Sequence, residues 1–505
     1  MQSRLTIPQF VDRVVLGFRK EVTMDALSTC PVDAAPGCYQ QKRMAHWDRL
    51  ADQMDERCGW GGFYHQRLVE VYRSLIPPGQ RVLEIGCGRG DLLSGLEPAV
   101  GVGIDFSQSM IERARLRHPG LQFLHADAHD LDLDERFDFI ILSDLVNDLW
   151  DVQAVLTQVA LLAAPGARVI LNTHSHAWTL PLWLAERVGL ARPRLRQNWL
   201  TLEDLANLLR LSGFEVLRSW QEVLCPLRIP LLGPFCNKYL VKMSPFKHLA
   251  LANFLIAKPV PERQPDRPSV SVVIPARNEA GNIEQILARI PEMEGETELI
   301  FVEGNSTDDT YEAIERALEN HPERQAMLLR QDGKGKGDAV RKGFEEATGD
   351  ILMILDADLS VAPEDLPRFY EAIRTGRGEF INGVRLIYPM EEKAMRFANL
   401  LGNKFFSLAF SWLLGTSIKD TLCGTKVLWR KDYELIAANR SYFGDFDPFG
   451  DFDLLFGAAK LNLKIVDMPV RYRERVYGTT NIQRWRHGWM LLNMVLFAAS
   501  KIKFI

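Results

Sequence analysis

Short unbroken apolar runs alternate with helical patterns along most of this chain. In the first half the runs are RVLEI (81–85), VGVGI (100–104), LQFLHAD (121–127), FDFIILSD (137–144) and RVILNTH (168–174). Between them lie stretches such as SQSMIERARLR, for which Ser107 is the expected helix N-cap. TLEDLANLLRLSG reads as a helix closed by Gly213, and FEVLR and NFLIAKP read as two further strands. Strands that are apolar on both faces and alternate with helices imply a parallel sheet covered on both sides. The pattern breaks at KPVPERQPDRPS (258–269), whose four prolines and interspersed charges mark a linker. Beyond it SVSVVIP (269–275), ELIFVEG (298–304), AMLLRQ (326–331) and DILMILDAD (350–358) begin a second series. The expected fold class is α/β, with two doubly wound sheets. The expected division is an N-terminal helical segment (1–77), a first sheet domain (78–258), a linker (259–269), a second sheet domain (270–484) and a C-terminal amphipathic segment (485–505).

Two stretches have a different texture. In MRFANLLGNKFFSLAFSWLLG, from Met395, the polar residues Asn399, Asn403, Ser407 and Ser411 recur every four positions and form one helical stripe. HGWMLLNMVLFAASKIKF, near the C-terminus, has Trp485 and Trp489 at its start and Lys501 and Lys503 at its end. Neither reaches the roughly 20 apolar residues of a spanning helix. Both fit core helices, and both fit interfacial helices that dock on a membrane from one side.

Composition narrows the setting. The 505 residues are 47% hydrophobic and 25% charged, as in ordinary folded proteins, and the length implies more than one domain. A net charge of −5 argues against nucleic acid as a partner. The seven cysteines are scattered and form no C-x-x-C pair, which reads as reduced thiols in a cytosolic protein. The N-terminus has charges inside its apolar part and no signal-peptide core. The expected location is cytoplasmic, peripheral at the inner face of the membrane.

EIGCGRGD (84–91) follows a buried strand and opens a helix, and its glycines let a ligand lie against the backbone. A tight turn alone would also need glycine. Asp105, at the end of the next strand, suits the ribose hydroxyls of a nicotinamide or an adenosyl cofactor. The G-x-G-x-G spacing, Glu84 before the loop and Asp127 in HADAHDL favour S-adenosyl-L-methionine. With these residues the stretch 40–258 resembles the class I SAM-dependent methyltransferases. The resemblance implies a cofactor site of Glu84, Gly86, Cys87, Gly88, Gly90, Asp105, Asp127 and Ala128. It places Ser143 and Asp144 at the transfer site. The methyl acceptor is not legible. Asn147 and Asp148 sit where acceptor groups often lie, and His174 and His176 fit a polar loop, a base or metal ligands.

In the second half, Asp356 and Asp358 end an apolar run. In extended backbone they would point to one side. Two like charges so close repel, and a divalent cation with an anionic ligand would offset this. Capping the next helix is the plainer use of such a pair. PARNEAGNI (275–283) and EGNSTDDT (303–310) follow the first two strands, with Asn282 a candidate helix cap, and KGKGDAVRKGF (334–344) opens a helix with Gly and Lys, suited to phosphate. These motifs, in this order, resemble family 2 glycosyltransferases of the GT-A fold over residues 270–482. That implies a nucleotide-sugar site of Pro275, Ala276, Asn278, Glu279, Glu303, Asn305, Lys336, Asp356 and Ala357, with Mg2+ or Mn2+ on Asp356 and Asp358. The second loop departs from the usual Asp-Asp-Gly-Ser and reads Glu303-Gly304-Asn305-Ser306.

DTLCGTKVLWR (420–430) and DMPVRYRERVYGTTNI (467–482) resemble the dolichyl-phosphate mannose synthase subgroup. This implies a polyprenyl phosphate acceptor at a membrane surface and phosphate contacts from Arg471, Arg473 and Arg475. Arginines at period two also fit a solvated strand edge, and Asn481 stands where lysine is common. Asp451 and Asp453 in GDFDLL are the candidate bases, or else caps of the following helix. The expected protein is a bifunctional enzyme. One alternative keeps a single active domain beside a binding module, and another is a sugar nucleotidyltransferase.

Overall fold

The computed structural model describes residues 36–54, 62–187, 194–195, 197–198, 200–260, 266–385, 397–439, 451–472, 477 and 484–504. Two mixed α/β sheets of seven strands each organise the chain. In the first, β1 (Arg81–Ile85), β2 (Val100–Asp105), β3 (Gln122–His125), β4 (Phe137–Ser143), β5 (Ala163–His174), β6 (Phe214–Glu222) and β7 (Ala252–Pro259) lie in the order β3-β2-β1-β4-β5-β7-β6. In the second, β8 (Val270–Ala276), β9 (Thr297–Glu303), β10 (Ala326–Arg330), β11 (Ile351–Ile354), β12 (Phe380–Val384), β13 (Lys426–Trp429) and β14 (Ile465–Pro469) lie in the order β10-β9-β8-β11-β13-β12-β14. Both are the α/β sheets that the patterning of the sequence predicts.

The apolar runs are central strands because both their faces are covered. Val82, Leu83 and Ile85 are buried, as are all of Ile351–Ile354. Neither sheet is wholly parallel. β7 runs antiparallel to β5 and β6, and β13 antiparallel to β11 and β12. The apolar pattern reports burial, not direction. Ser107 caps Gln108–Arg117 through the Met110 amide, and Thr201 forms a capping box with Asp204 at the start of Leu202–Leu211.

One expectation fails at a site. The strand in DILMILDAD ends at Ile354, so Asp356 and Asp358 lie beyond the ladder. Ala357 and Asp358 form a turn that leads to Leu359, whose φ is +54°. The alternation rule for strands therefore does not set where the two carboxylates point.

Helices Pro36–Met54 and Gly62–Leu75 pack on the first sheet domain. Leu68, Val71 and Tyr72 join the cluster of Val82, Phe139 and Ile170. The helix Phe397–Leu414 buries Phe410, Leu413 and Leu414 against Leu491, Met494 and Ala498 of Arg484–Ala498. Part of the polar stripe serves the fold, since Ser407 Oγ and Ser411 Oγ both donate to the Ile418 carbonyl at 2.6 and 3.0 Å. Phe405, Leu408 and Trp412 of the same helix remain exposed. Among the described residues no helix is long and apolar enough to cross a membrane.

The two sheet domains meet along a polar seam. Arg168 of β5 donates to Glu379 at 3.0 Å and to the Asn462 carbonyl at 2.9 Å. Lys258 of β7 lies 3.6 Å from Glu379, and Lys464 Nζ lies 2.6 Å from Glu215. Arg218 donates to the Leu414 carbonyl at 3.2 Å, and Asn462 Nδ2 to the Leu75 carbonyl at 3.3 Å. Burial pushes the Arg218 guanidinium down to about 10. Burial alone would raise the Glu379 carboxyl, but Arg168 and then Lys258 hold it below its ordinary value.

Candidate functional sites

The first site lies at the carboxyl ends of β1, β2 and β4. Gly86, Gly88 and Gly90 have φ of +75°, +52° and +73°, a region that side chains disfavour. The Gly86 and Cys87 amides both donate to the Ile104 carbonyl, at 2.7 and 2.9 Å, which ties the loop to β2. A Cβ at Gly86 would meet the Leu145 side chain at 2.8 Å, and one at Gly90 would meet the Phe123 ring at 2.5 Å. Side chains thus fill the space beside Gly86 and Gly90, while a Cβ at Gly88 would meet nothing within 4 Å.

A cleft next to it is lined by Gly86, Asp105, Asp127 and Ala128, together with Leu145 and Trp150. Four residues expected at a cofactor site therefore share one cavity. The others have supporting places. Glu84 is buried and accepts from the Leu93 amide at 3.1 Å, and burial raises its carboxyl well above the ordinary range. The Cys87 thiol is buried and likewise raised. The Gly88 amide donates to Asp105 Oδ2 at 2.8 Å, while Asp105 Oδ1 accepts from the Ser107 amide at 2.9 Å. Burial pushes the Asp105 carboxyl up to about 6. Asp127 is bonded to His129 at 2.7 Å, which holds its carboxyl below the ordinary value.

The helix Pro36–Met54 adds residues that the sequence did not point to. Tyr39, Gln40 and Arg43 line the same cleft. Gln40 donates to Asp127 at 2.7 Å, and Arg43 lies 3.6 Å from Asp148 and 3.6 Å from the centre of the Tyr39 ring. Their spacing carries no motif, and the contacts span up to 110 positions, as in the Tyr39 bond to the Leu149 carbonyl.

Beside the cleft, Asp144 sits at φ +53° and gathers polar groups. It accepts from Tyr64 at 2.9 and 3.0 Å and from Asn172 at 2.6 Å, and Tyr72 donates to Asn172 at 2.8 Å. His174 has one ring nitrogen 3.2 Å from Asn147 Nδ2 and the other 3.8 Å from Asp144. Both nitrogens face protein groups. His176 is exposed and opens a short 3-10 turn instead.

The second site lies at the carboxyl ends of β8, β9 and β11. The Asn278 amide donates to Ser306 Oγ at 3.0 Å, and the Thr307 amide returns a bond to Asn278 Oδ1 at 2.8 Å. Glu303 accepts from the Ser306 amide at 2.6 Å, and the Glu279 amide donates to Thr310 at 3.0 Å. The loops carrying Pro275, Ala276, Asn278 and Glu279 and those carrying Glu303 and Asn305 are thereby laced together. Asn278 and Asn305 take φ of +58° and +55°. Asn282 stands at a helix N-cap, but its side chain donates to Glu279 at 2.7 Å and leaves the cap without a side-chain bond.

Lys336 Nζ lies 2.6 Å from Asp356 Oδ1, and Asp358 accepts from the Ser360 amide at 3.0 Å. Ala357 between them is buried. Gly424 backs onto this pair so closely that a Cβ there would overlap both the Asp356 carboxylate and the Lys336 ammonium. The segment 420–426 is pinned from below. Arg385 grips Asp420 with two bonds of 2.7 and 2.9 Å, and Lys426 donates to Asn382 at 3.1 Å and to the Cys423 carbonyl at 2.7 Å. Arg385 and Gly424 had no reading as site residues, because only the folded chain brings Gly424 to Asp356 and Arg385 to Asp420.

Tyr472 forms an antiparallel bridge with Val361, and a Cβ at Gly281 would meet the Tyr477 ring at 2.5 Å. Tyr472 thus reaches the segment after Asp358, and Tyr477 the loop after Glu279. Arg471 is exposed, and Arg473, Arg475 and Asn481 lie outside the described residues. Asp451 and Asp453 are in the first turn of Asp451–Lys460.

The donor set at Asp356 and Asp358 fits a hard cation in part. Among the described residues no group of three or more His, Cys, Asp or Glu converges to form an all-protein cage. Mg2+ is commonly held by one or two carboxylates with substrate phosphates and water completing its shell. The first cleft fits an adenosyl cofactor by its bare glycine backbone and its two carboxylates.

Residues 53–219 match the family model described as a methyltransferase domain, and residues 271–434 match that of glycosyl transferase family 2. The second region is similar to the dolichol-phosphate mannosyltransferase of Pyrococcus furiosus, 38% identical over 109 residues, covering 21% of this chain and 30% of that protein. It is also similar to the undecaprenyl-phosphate 4-deoxy-4-formamido-L-arabinose transferase of Pseudomonas aeruginosa, 28% identical over 230 residues, covering 45% and 62%. The chain thus spans less than two thirds of either relative. Among solved structures, glucosyl-3-phosphoglycerate synthase from Mycobacterium tuberculosis is matched over 46% of this chain and 81% of that one, at 20% identity and a TM-score of 0.35.

Proposed function

We propose that this chain, a methyltransferase domain followed by a family 2 glycosyltransferase domain, is bifunctional. Its second half transfers a sugar from a nucleotide sugar to a polyprenyl phosphate, and its first half transfers a methyl group from S-adenosyl-L-methionine. The observation that carries the sugar-transfer reading is the Lys336–Asp356 pair against Gly424, beside Asp358 at the carboxyl edge of the sheet.

The loops of Glu279 and Glu303 would hold the nucleoside, and Lys336 would meet the diphosphate. Asp356 and Asp358 would hold Mg2+ or Mn2+, which supplies positive charge to the departing diphosphate. Arg471, Arg473 and Arg475 would bind acceptor and donor phosphates. A lipid monophosphate has its second pKa near about 6, so it is largely dianionic at neutral pH and attacks the anomeric carbon with little need of a base. Asp451 and Asp453 would take that role for a hydroxyl acceptor. Peripheral docking through the exposed faces of Phe397–Leu414 and Arg484–Ala498 brings this edge to the lipid.

In the first half, Gly86 would accommodate the amino-acid end of the cofactor, Asp105 the ribose hydroxyls, and Asp127 with Ala128 the adenine. The bound cofactor supplies an electrophilic methyl on a charged sulfur. Tyr64, Asn172 and Asn147 fix the groups around Asp144 and orient the acceptor side.

The test uses purified full-length protein, polyprenyl phosphate in vesicles and a panel of labelled nucleotide sugars. Transfer to the lipid that an Asp358→Ala variant loses supports the reading. Release of pyrophosphate from a sugar phosphate and a nucleoside triphosphate would replace it with nucleotidyl transfer. Calorimetry with S-adenosyl-L-methionine tests the other half. Binding that Asp127→Ala leaves unchanged would remove the cofactor assignment.

A further inference from the structure

We propose that residues 223–251 of the methyltransferase domain, which join β6 to β7, dock on an anionic lipid surface and place both domains on one membrane face. This extends the peripheral reading above to the other half of the chain, and rests on it.

The connection leaves the sheet at the edge where the first site lies. His174 at the end of β5 pairs with Ala252 at the start of β7, and Glu222 at the end of β6 pairs with the same residue. The Ser175 amide donates to the Leu251 carbonyl at 2.7 Å, and Trp178 Nε1 donates to the Leu249 carbonyl at 2.8 Å. The segment is therefore fixed beside His174 and Asp144.

Its outer surface is apolar and uncovered. Leu231 is 88% exposed and sits at φ +64°, and Leu232, Phe235, Met243, Phe246 and Leu249 are exposed too. Exposed apolar groups in one contiguous region mark an interaction site, whereas single ones do not. This surface continues into the other domain. Ring centres run from Phe235 to Tyr239 at 5.8 Å, from Tyr239 to Phe504 at 5.1 Å, and from Phe504 to Trp412 at 5.6 Å. Trp412 belongs to the same helix as the exposed Phe405 and Leu408.

Charge selects the partner. No Asp or Glu occurs between Glu222 and Glu262, whereas Arg228, Lys238, Lys247 and His248 do, and Lys242 of the same stretch is paired with Glu222. Where the two domains meet, burial and then the cations of Lys242, Arg218 and Lys247 push the Lys503 ammonium down to about 8, with Glu222 the opposing charge. Anionic headgroups would relieve that repulsion. A second copy of this chain, docked about a two-fold axis, would bring cations against cations.

The experiment is co-sedimentation of the full-length protein with vesicles of phosphatidylglycerol and phosphatidylethanolamine, or of phosphatidylcholine alone. Leu231→Glu/Phe235→Glu is expected to lower partitioning onto the anionic vesicles at least roughly tenfold. Lys238→Glu/Lys247→Glu is expected to do the same there, with little effect on phosphatidylcholine. Leu408→Glu/Trp412→Glu tests the glycosyltransferase face separately. Loss of binding in that variant alone would overturn this inference and leave the peripheral reading standing. Full binding by every variant would end both. Self-association in lipid-free buffer that Leu231→Glu/Phe235→Glu abolishes, with vesicle binding intact, would assign the face to a second copy. Unchanged circular dichroism and cofactor binding establish that the surface variants fold.

Discussion

Gly424 stands against Lys336 and Asp356, with no space for a side chain between them. A Gly424→Ala substitution must push either the ammonium or the carboxylate aside. Misplacing groups by about 1 Å lowers rates by about 100-fold, so sugar transfer should fall at least that far. Overpacking should lower stability by only about 1–3 kcal/mol. Kinetics and thermal melting on one preparation check this, and an unimpaired kcat/KM would refute it.

Chelation should divide the two activities. EDTA is expected to reduce sugar transfer by about 100-fold or more, with Mg2+ or Mn2+ restoring it, since the diphosphate would lose its charge partner. Methyl transfer should not respond. Equal inhibition of both would contradict the assignment of the cation to Asp356 and Asp358.

Asp105 should impose a pH dependence near 6. Its carboxyl is raised from 3.8 to about 6 in the fold, so between those values the folded state holds a proton that the unfolded state has lost. Stability of the cofactor-free protein should therefore fall as pH rises through this window, by about 3 kcal/mol in all, and then level off. Cofactor affinity should rise over the same window as the ionised acceptor for ribose hydroxyls forms. Calorimetry across the window is the check, and an affinity that ignores pH, or that titrates equally in Asp105→Asn, would exclude this role.

The seam should weaken in acid. Glu379 is held below its ordinary 4.5 despite burial, so its contribution is present above that value and is lost as pH falls through the lower folded pKa. Glu379→Ala would leave Arg168 and Lys258 without their buried counter-charge, for which about 3–5 kcal/mol is expected. Two separated unfolding transitions in the variant, where the parent shows closer coupling, would be the calorimetric sign. Identical thermograms would count against it.

Local chemistry was legible in the sequence wherever neighbours in the chain are neighbours in space. β1, the glycine loop and Ser107 all speak through residues a few positions apart. The antiparallel directions of β7 and β13 did not, because burial on two faces leaves the same apolar run either way. The end of β11 at Ile354 was hidden because DAD continues a run that could be extended. Gln40 on Asp127 and Arg385 on Asp420 were invisible for another reason. Each joins residues separated by 87 and 35 positions, and no spacing rule covers such pairs.

The polar seam makes the chain divisible in a particular way. A gene cut between β7 and β8 would yield one piece displaying Arg168, Arg218 and Lys258, and another displaying Glu379 and the carbonyls of Leu414 and Asn462. Those faces amount to a salt-sensitive docking code, so the two pieces, expressed together, should copurify in dilute buffer and part in concentrated salt.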